Sequence, residues 1–184
     1  KVERAVAVEQ RGLRWFYATA DNELIFSEIG DPARIEPANI ININTRDHDG
    51  ITALQEFGGG LLIFKRRSVH YLSGWDFAAG SDIALTQLNV TSGTAFPKSV
   101  QLTENGLLYL GQNGLYRLYV PPNGYQVAAE HISLRRISGA LFSEGAPREA
   151  YAAVWDNTYY LSLRGAESNA MIREYRYFPA LDAF

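Results

Sequence analysis

The sequence predicts an all-β protein built from small repeated sheets, and three observations support that prediction. The chain of 184 residues contains 11 Tyr, 9 Phe and 3 Trp but a single Met, a balance that favours strands over helices. No window places apolar residues at i, i+3, i+4 and i+7 for as long as a helix of about three turns requires. The third observation is a hairpin pattern that recurs along the chain.

Four segments share this pattern, in which two short apolar, aromatic-rich runs flank a polar turn of two or three residues. The segments span residues 13–27, 61–72, 107–119 and 152–163. Asn-Gly and Asp-Asn turns accept a positive φ at low energetic cost, so they suit the tight turns of hairpins. The turn residues Asp21, Arg66, Asn113 and Asp156 are 45, 47 and 43 residues apart, which gives a period near 45 residues.

Shorter strand candidates lie between the hairpins and after the last one. They are residues 5–8 and 40–43, 51–54 and 83–88, 100–102 and 125–128, and 171–177. Each repeat then holds about four short strands, which is the dimension of a β-propeller blade. A β-sandwich is the second choice, because it predicts short strands without the recurrence of one hairpin type.

We expect a single β-propeller module or fragment over residues 1–184, with approximate blades at 5–46, 50–91, 97–137 and 147–178. Propellers have about four to eight blades, and the ring must close to remove exposed sheet edges. We therefore favour a larger ring whose other blades lie elsewhere in a longer parent chain. The first residues, Lys1–Val6, lack an initiating Met and the apolar segment of a signal peptide, so we expect a fragment or a processed product.

Charge and cysteine content exclude several classes of protein. The net charge of −3 provides no global field that would draw the chain to nucleic acid or to an anionic membrane. No apolar run approaches the roughly 20 residues that span a bilayer. The absence of cysteine excludes disulfides, thiol catalysis and cysteine metal sites.

The sequence predicts no catalytic, cofactor or metal site. His48, His70 and His131 lack the short spacing of a zinc site, and the loop Arg46–Gly50 lacks the pattern of a calcium loop. No nucleophile elbow, P-loop or dinucleotide fingerprint occurs. The glycine run Gly58–Gly60 precedes a strand instead of a helix, so a turn or bulge is the better interpretation.

Basic and aromatic loop residues are the candidates for interaction. The chain has 14 Arg and 3 Lys, and a basic cluster falls at the tip of the second hairpin, where the planar guanidinium group can bind phosphate or carboxylate. A second cluster is Arg135-Arg136. Trp75 and Phe77 are equally well placed for exposure in a loop or for burial between blades. The candidate interaction residues are Arg46, Asp47, His48, Lys65, Arg66, Arg67, Trp75 and Phe77.

Two motifs in the repeats form an informative combination, F-S-x-x-G-D-P at Phe26–Pro32 followed by L-x-I-F-K-x-x-S at Leu61–Ser68. In this combination the repeats resemble propeller-like structural proteins of tailed bacteriophages. The likeness continues through Gly50–Leu54, Asn105–Gly111 and Asn113–Arg117. The style is that of the tail nozzle or tubular protein B group of short-tailed phages, which includes packaged-DNA stabilisation proteins. It covers residues 13 to 119, and the final third shows only a generic hairpin.

The resemblance implies a non-enzymatic virion component of the tail or neck, assembled in the host cytoplasm as a ring of subunits that closes the DNA channel until ejection. Its implied partners are other phage tail or neck proteins and copies of itself, with packaged DNA as a further candidate contact. It implies no cofactor and no catalytic residue.

The alternative function is a carbohydrate-binding or glycoside-hydrolysing β-propeller. A hydrolase would need two carboxylates around a central cleft. Asp31, Asp76, Asp82 and Glu104 are candidates, but nothing in their spacing selects a pair. A lectin would instead need aromatic platforms.

Overall fold

The computed structural model describes residues 4–44, 46–74, 83–124, 126–133, 137–143, 145, 147–165 and 172–184. Across those residues the regular structure is nearly all antiparallel β-sheet, which confirms the all-β prediction. The chain divides into two compact units, Lys1–Leu88 and Asn89–Phe184. Within the described residues, each unit holds two sheets whose strands follow chain order, as the strands of a propeller blade do.

The first unit contains two four-stranded sheets. The first sheet consists of β1 (Ala5–Arg11), β2 (Arg14–Thr19), β3 (Glu23–Phe26) and β4 (Ile40–Asn42). The second consists of β5 (Ile51–Phe57), β6 (Gly60–Lys65), β7 (Val69–Ser73) and β8 (Ala84–Gln87). Both confirm the predicted hairpins, whose turns lie at Asp21-Asn22 and at Arg66-Arg67.

The two sheets of this unit pack face to face. Phe16 and Leu24 of the first sheet and Leu61 and Ile63 of the second are fully buried in one cluster. A polar contact also ties the sheets together, because the Asn22 side-chain oxygen accepts a hydrogen bond of 3.0 Å from the backbone N–H of Ile51. Asn22 has a φ of 62°, the left-handed conformation that the turn chemistry predicts.

The second unit contains a four-stranded and a three-stranded sheet, counting the described residues. The four-stranded sheet consists of β9 (Gln101–Thr103), β10 (Gly106–Leu110), β11 (Leu115–Tyr119) and β12 (Ala128–His131). A short helix, α1 (Ser138–Leu141), follows. The three-stranded sheet consists of β13 (Glu149–Trp155), β14 (Thr158–Arg164) and β15 (Ile172–Tyr177).

A second apolar cluster joins the sheets of this unit. Leu108 and Leu115 pack in it with Tyr159, Leu161 and other side chains of the three-stranded sheet. The fully buried Tyr159 hydroxyl donates a hydrogen bond of 2.7 Å to the carbonyl of Ser99, so burial leaves its polar end satisfied. Burial also raises the pKa of Tyr159, which keeps the hydroxyl in its donating form.

Two details differ from the predictions. Residues 125–128 were predicted as a strand; Tyr125 lies outside the described residues, and β12 begins at Ala128, which pairs with Tyr119 after a turn at Pro121–Gly124. The last sheet has three strands among the described residues, whereas four were expected. No helix in the described part of the chain is long and apolar enough to cross a membrane.

We expect Gly106→Ala to lower the free energy of unfolding by about 1–3 kcal/mol. Gly106 has a φ of 129°, and a Cβ placed there would lie 2.4 Å from the Leu118 carbonyl oxygen, a backbone atom that cannot turn away. Gly139→Ala is the matched control, since nothing lies within 4 Å of its Cβ position. Urea unfolding followed by circular dichroism measures both, and equal midpoints for the two variants would contradict the prediction.

Candidate functional site

The predicted interaction residues at the second hairpin surround a buried ion pair. Lys65, the last residue of β6, is fully buried. Its ammonium group lies 2.8 and 2.7 Å from the two carboxylate oxygens of Asp47 and donates a further hydrogen bond of 3.0 Å to the Asn44 carbonyl. The loop between β4 and β5 is thereby fastened to the end of β6.

Asp49, on the same loop, caps the turn between β6 and β7. Its buried carboxylate accepts hydrogen bonds from the backbone N–H groups of Arg66, at 3.2 Å, and Arg67, at 2.8 Å. Asp47 also accepts one from the N–H of Asp49 at 3.0 Å. His48, between the two aspartates, has a φ of 53°, and this left-handed residue allows both carboxylates to turn inward.

The same arrangement leaves basic side chains on the surface. Arg46, Arg66 and Arg67 are exposed, and we call these three residues the arginine patch. His48 is exposed beside them. The carboxylates of both aspartates are already engaged, Asp47 by the Lys65 ammonium group and Asp49 by the backbone N–H groups of the turn. The patch therefore presents its guanidinium groups to solvent. Planar cations of this kind bind carboxylates or phosphates.

Lys65 requires a correction, because the sequence places it at an exposed hairpin tip and the structure buries it. Its charge stabilises the loop instead of reaching a partner. Arg46, His48, Arg66 and Arg67 are exposed as expected, and Asp47 is partly buried. Trp75, Phe77 and the pair Arg135-Arg136 lie outside the described residues.

The buried charges shift two pKa values in this cluster. Burial raises the pKa of Asp47, but the hydrogen bonds and charge of Lys65 outweigh it, so this pKa lies below its usual range. Burial lowers the pKa of His70, which lies on β7 and is 4% exposed, and the charge of Lys65 lowers it further. The His70 ring lies 3.3 Å from the Ser68 hydroxyl, so the two side chains form a buried polar pair.

A stack of three rings occupies a comparable hairpin in the second unit. The rings of Tyr109 and Tyr116 are 5.4 Å apart, and those of Tyr116 and His131 are 4.4 Å apart. His131 Nε2 lies 3.2 Å from the hydroxyl of Ser133, which also accepts a hydrogen bond from the Leu115 N–H. Because Ser133 is fully buried, this Ser–His pair holds the hairpin and offers no accessible nucleophile.

The acidic candidates for hydrolysis have local roles. Asp31 accepts a hydrogen bond of 3.0 Å from the N–H of Ala33, which is an Asx turn. Glu104 lies in the turn between β9 and β10. Asp76 and Asp82 lie outside the described residues. Across the described chain, no group of three or more His, Asp or Glu side chains is arranged to hold a metal ion.

The last sheet carries an exposed aromatic surface that was not predicted from the sequence. Tyr151, Ala153 and Trp155 alternate along β13 and point to the face opposite the core, where Tyr160 of β14 joins them. Tyr151 is 45% exposed and Trp155 is 72% exposed. The alternation of large side chains around Ala153 is visible in the sequence, but the pairing of Ala153 with Tyr160 requires the strand register.

No protein-family model matches the chain, and no curated protein matches it. Among solved structures, it is similar to the crystal structure of the computationally designed Ika4 protein, with a TM-score of 0.50 and 11% identity over 93% of this chain and 89% of that chain. The crystal structure of the computationally designed Ika8 protein matches with a TM-score of 0.46 and 12% identity, covering 93% of this chain and 45% of that chain. At such identity the likeness to Ika4 concerns the fold alone. The fold is all-β and β-propeller-like.

We expect Asp47→Ala to lower the free energy of unfolding by about 3–5 kcal/mol, because it leaves the fully buried Lys65 ammonium without its anion. The double variant Asp47→Ala/Lys65→Met should lose less than the single Asp47→Ala variant. Arg67→Ala, which removes an exposed side chain of the neighbouring turn between β6 and β7, should stay within about 0.5 kcal/mol of the parent. Denaturant unfolding measures all three, and additive losses in the double variant would contradict a direct coupling.

We expect the protein to become less stable as the pH falls from 7.5 to 5.5. The pKa of His70 is lowered in the folded state, so the unfolded chain takes up a proton near pH 6.5 that the folded chain resists. One such group contributes a slope of up to about 1.4 kcal/mol per pH unit. His70→Asn should reduce the slope without abolishing it, because burial also lowers the pKa of His131. Melting curves at several pH values test this, and an unchanged slope in His70→Asn would refute it.

Proposed function

We propose that this chain is a structural component of a bacteriophage tail, neck or nozzle that acts through subunit contacts in a ring around the DNA channel. The proposal makes the chain a non-enzymatic component of the virion. The sequence resemblance over residues 13 to 119 suggests the setting, and the β-propeller-like fold agrees with it.

The arginine patch is the observation that carries the proposal. Its backbone is clamped by Asp49, and the loop that carries Arg46 is fastened by the ion pair of Asp47 with Lys65. A rigid loop loses little conformational entropy when it binds, so it suits a permanent contact between subunits. Its guanidinium groups fit oxyanions, which a neighbouring subunit supplies as carboxylates and packaged DNA supplies as phosphates.

The carbohydrate alternative divides into two parts. A hydrolase gains no support from Asp31 and Glu104, because each lies in a turn: Asp31 accepts a hydrogen bond within its own turn, and Glu104 lies in the turn between β9 and β10. Carbohydrate binding is favoured by one observation, the aromatic face of the last sheet that Tyr151, Trp155 and Tyr160 form.

We expect peptides of this chain in gradient-purified tailed particles from a lysate of the strain that carries its gene, and antibody label at the tail or neck of those particles. Mass spectrometry and immuno-electron microscopy measure the two outcomes. Peptides confined to the soluble fraction of the lysate would refute the virion role.

Complementation with variants then tests the patch itself. Replacing Arg46, Arg66 and Arg67 by Glu should lower the yield of infectious particles at least tenfold while the melting temperature stays near that of the parent. Arg34→Glu is the matched control, since Arg34 is an exposed arginine of the same unit that pairs with Glu36 across its own loop. If the triple variant complements as well as Arg34→Glu does, the patch is not the contact.

A further inference from the structure

The outer face of the three-stranded sheet β13–β15 carries an open cavity of about 230 Å³. The opposite face of this sheet packs into the core through Tyr159, Leu161 and Leu163. Ligand sites for drug-sized molecules occupy about 300–1,000 Å³, so this smaller cavity suits a single ring. The residues that line it are Tyr151, Ala152, Ala153, Tyr160, Leu161, Ser162 and Glu174.

The strand register gives the cavity the form of a slot. Ala153 lies directly across from Tyr160 in the antiparallel pair of β13 and β14, and Tyr151 lies across from Ser162. Since side chains two residues apart share a face, the methyl group of Ala153 forms the floor between two tyrosine rings. We call Tyr151, Ala153 and Tyr160 the tyrosine slot.

Cationic side chains lie over the rings of both tyrosines. The Lys98 ammonium group lies 4.7 Å from the centroid of the Tyr151 ring, and the Arg176 guanidinium carbon lies 5.5 Å from that of Tyr160. At exposed sites such cation–π contacts contribute about 0.5–1 kcal/mol, so they favour one orientation of each ring. The walls of the slot are therefore oriented before any ligand arrives, which lowers the entropic cost of binding.

Polar groups complete the slot on the side of β15. Ser162 of β14 pairs directly with Glu174 of β15, and both line the cavity. A hydroxyl and a carboxylate at one end of an aromatic slot can exchange hydrogen bonds with a ligand that carries several hydroxyl groups. Glu174 is the charged residue among those that line the cavity, whereas the cations Lys98 and Arg176 lie over the tyrosine rings beside it.

A further sheet or a second copy of the chain fits this face poorly. The faces that pack inside the unit present apolar side chains such as Leu108 and Leu161 to each other. Covering the slot with a sheet would bury the exposed carboxylate of Glu174 and guanidinium of Arg176, which costs free energy unless each finds a partner. A small polyhydroxylated ring leaves both groups in contact with water.

We propose that the tyrosine slot binds a neutral hexopyranose unit of an oligosaccharide. The C–H face of the sugar lies against a tyrosine ring above Ala153, and Ser162 and Glu174 bind its hydroxyl groups. The proposal goes beyond the structural role and does not rest on it, because the slot lies wholly in the second unit and the arginine patch in the first.

The test is isothermal titration of the full chain with cellohexaose, maltohexaose and hexa-N-acetylchitohexaose, at concentrations up to several millimolar. Ala153→Phe fills the floor of the slot without removing a polar group and should weaken binding of the recognised sugar at least tenfold. Tyr160→Ala removes a wall of the slot and should raise the Kd for the recognised sugar about tenfold. Ile172→Phe is the matched control: it adds a ring of the same size on the same face, at a residue that does not line the cavity, and should leave the Kd unchanged.

Three outcomes would overturn the proposal. The first is that none of the three sugars binds, and the second is that Ala153→Phe and Ile172→Phe weaken binding equally. The third is that the slot serves another partner. Retention of oligo(dT) that Ala153→Phe abolishes, or self-association in light scattering that Ala153→Phe abolishes, would assign it to a nucleic acid or to a second copy.

Discussion

Face-to-face packing of consecutive sheets is the interaction on which the rest of each unit depends. A sheet of three or four short strands cannot bury a face by itself, so each needs its neighbour to form a core. In the first unit this core joins Phe16 to Leu61 and Ile63, and in the second it joins Leu108 to Leu161. The polar ties between sheets, from Asn22 and from Tyr159, then satisfy groups that the packing has removed from water.

The ion pair of Lys65 and Asp47 follows from that packing, and it decides what the surface presents. Strand β6 is buried along its whole length, and the side chain of Lys65 at its last position is buried together with its ammonium group. A buried cation requires an anion, and the loop before β5 supplies it. Asp47 is held by Lys65 and Asp49 by the turn between β6 and β7, while the arginine patch on this loop and turn stays exposed. The positive charge of the arginine patch is thus a consequence of the contacts that bury Lys65 and engage the two aspartates.

The sequence predicted the hairpins because turn chemistry and alternation are local. Asp21-Asn22 and Asp156-Asn157 adopt the positive φ values that their residue types favour, at Asn22, Asp156 and Asn157. The burial of Lys65 could not be predicted, because its partner lies 18 residues earlier in the chain and the basic run around it suggests exposure. Similarly, Tyr151 and Tyr160 form one slot only through the register of β13 with β14. Local signals thus gave the elements, whereas both surfaces depend on contacts between elements.

A comparison of two strand pairs explains why the slot is open. In the first unit Ala53 of β5 pairs with Phe64 of β6, a small residue opposite a large ring, as Ala153 pairs with Tyr160 in the second unit. Phe64 is fully buried, and its neighbours on the same face, Leu62 and Val69, are apolar. The corresponding neighbours of Tyr160 are Ser162 and Arg176, and Tyr160 remains partly exposed. The same pairing of a small with a large residue occurs in both sheets, and it is the polar and partly exposed surroundings of Tyr160 that leave room for a solvated ligand.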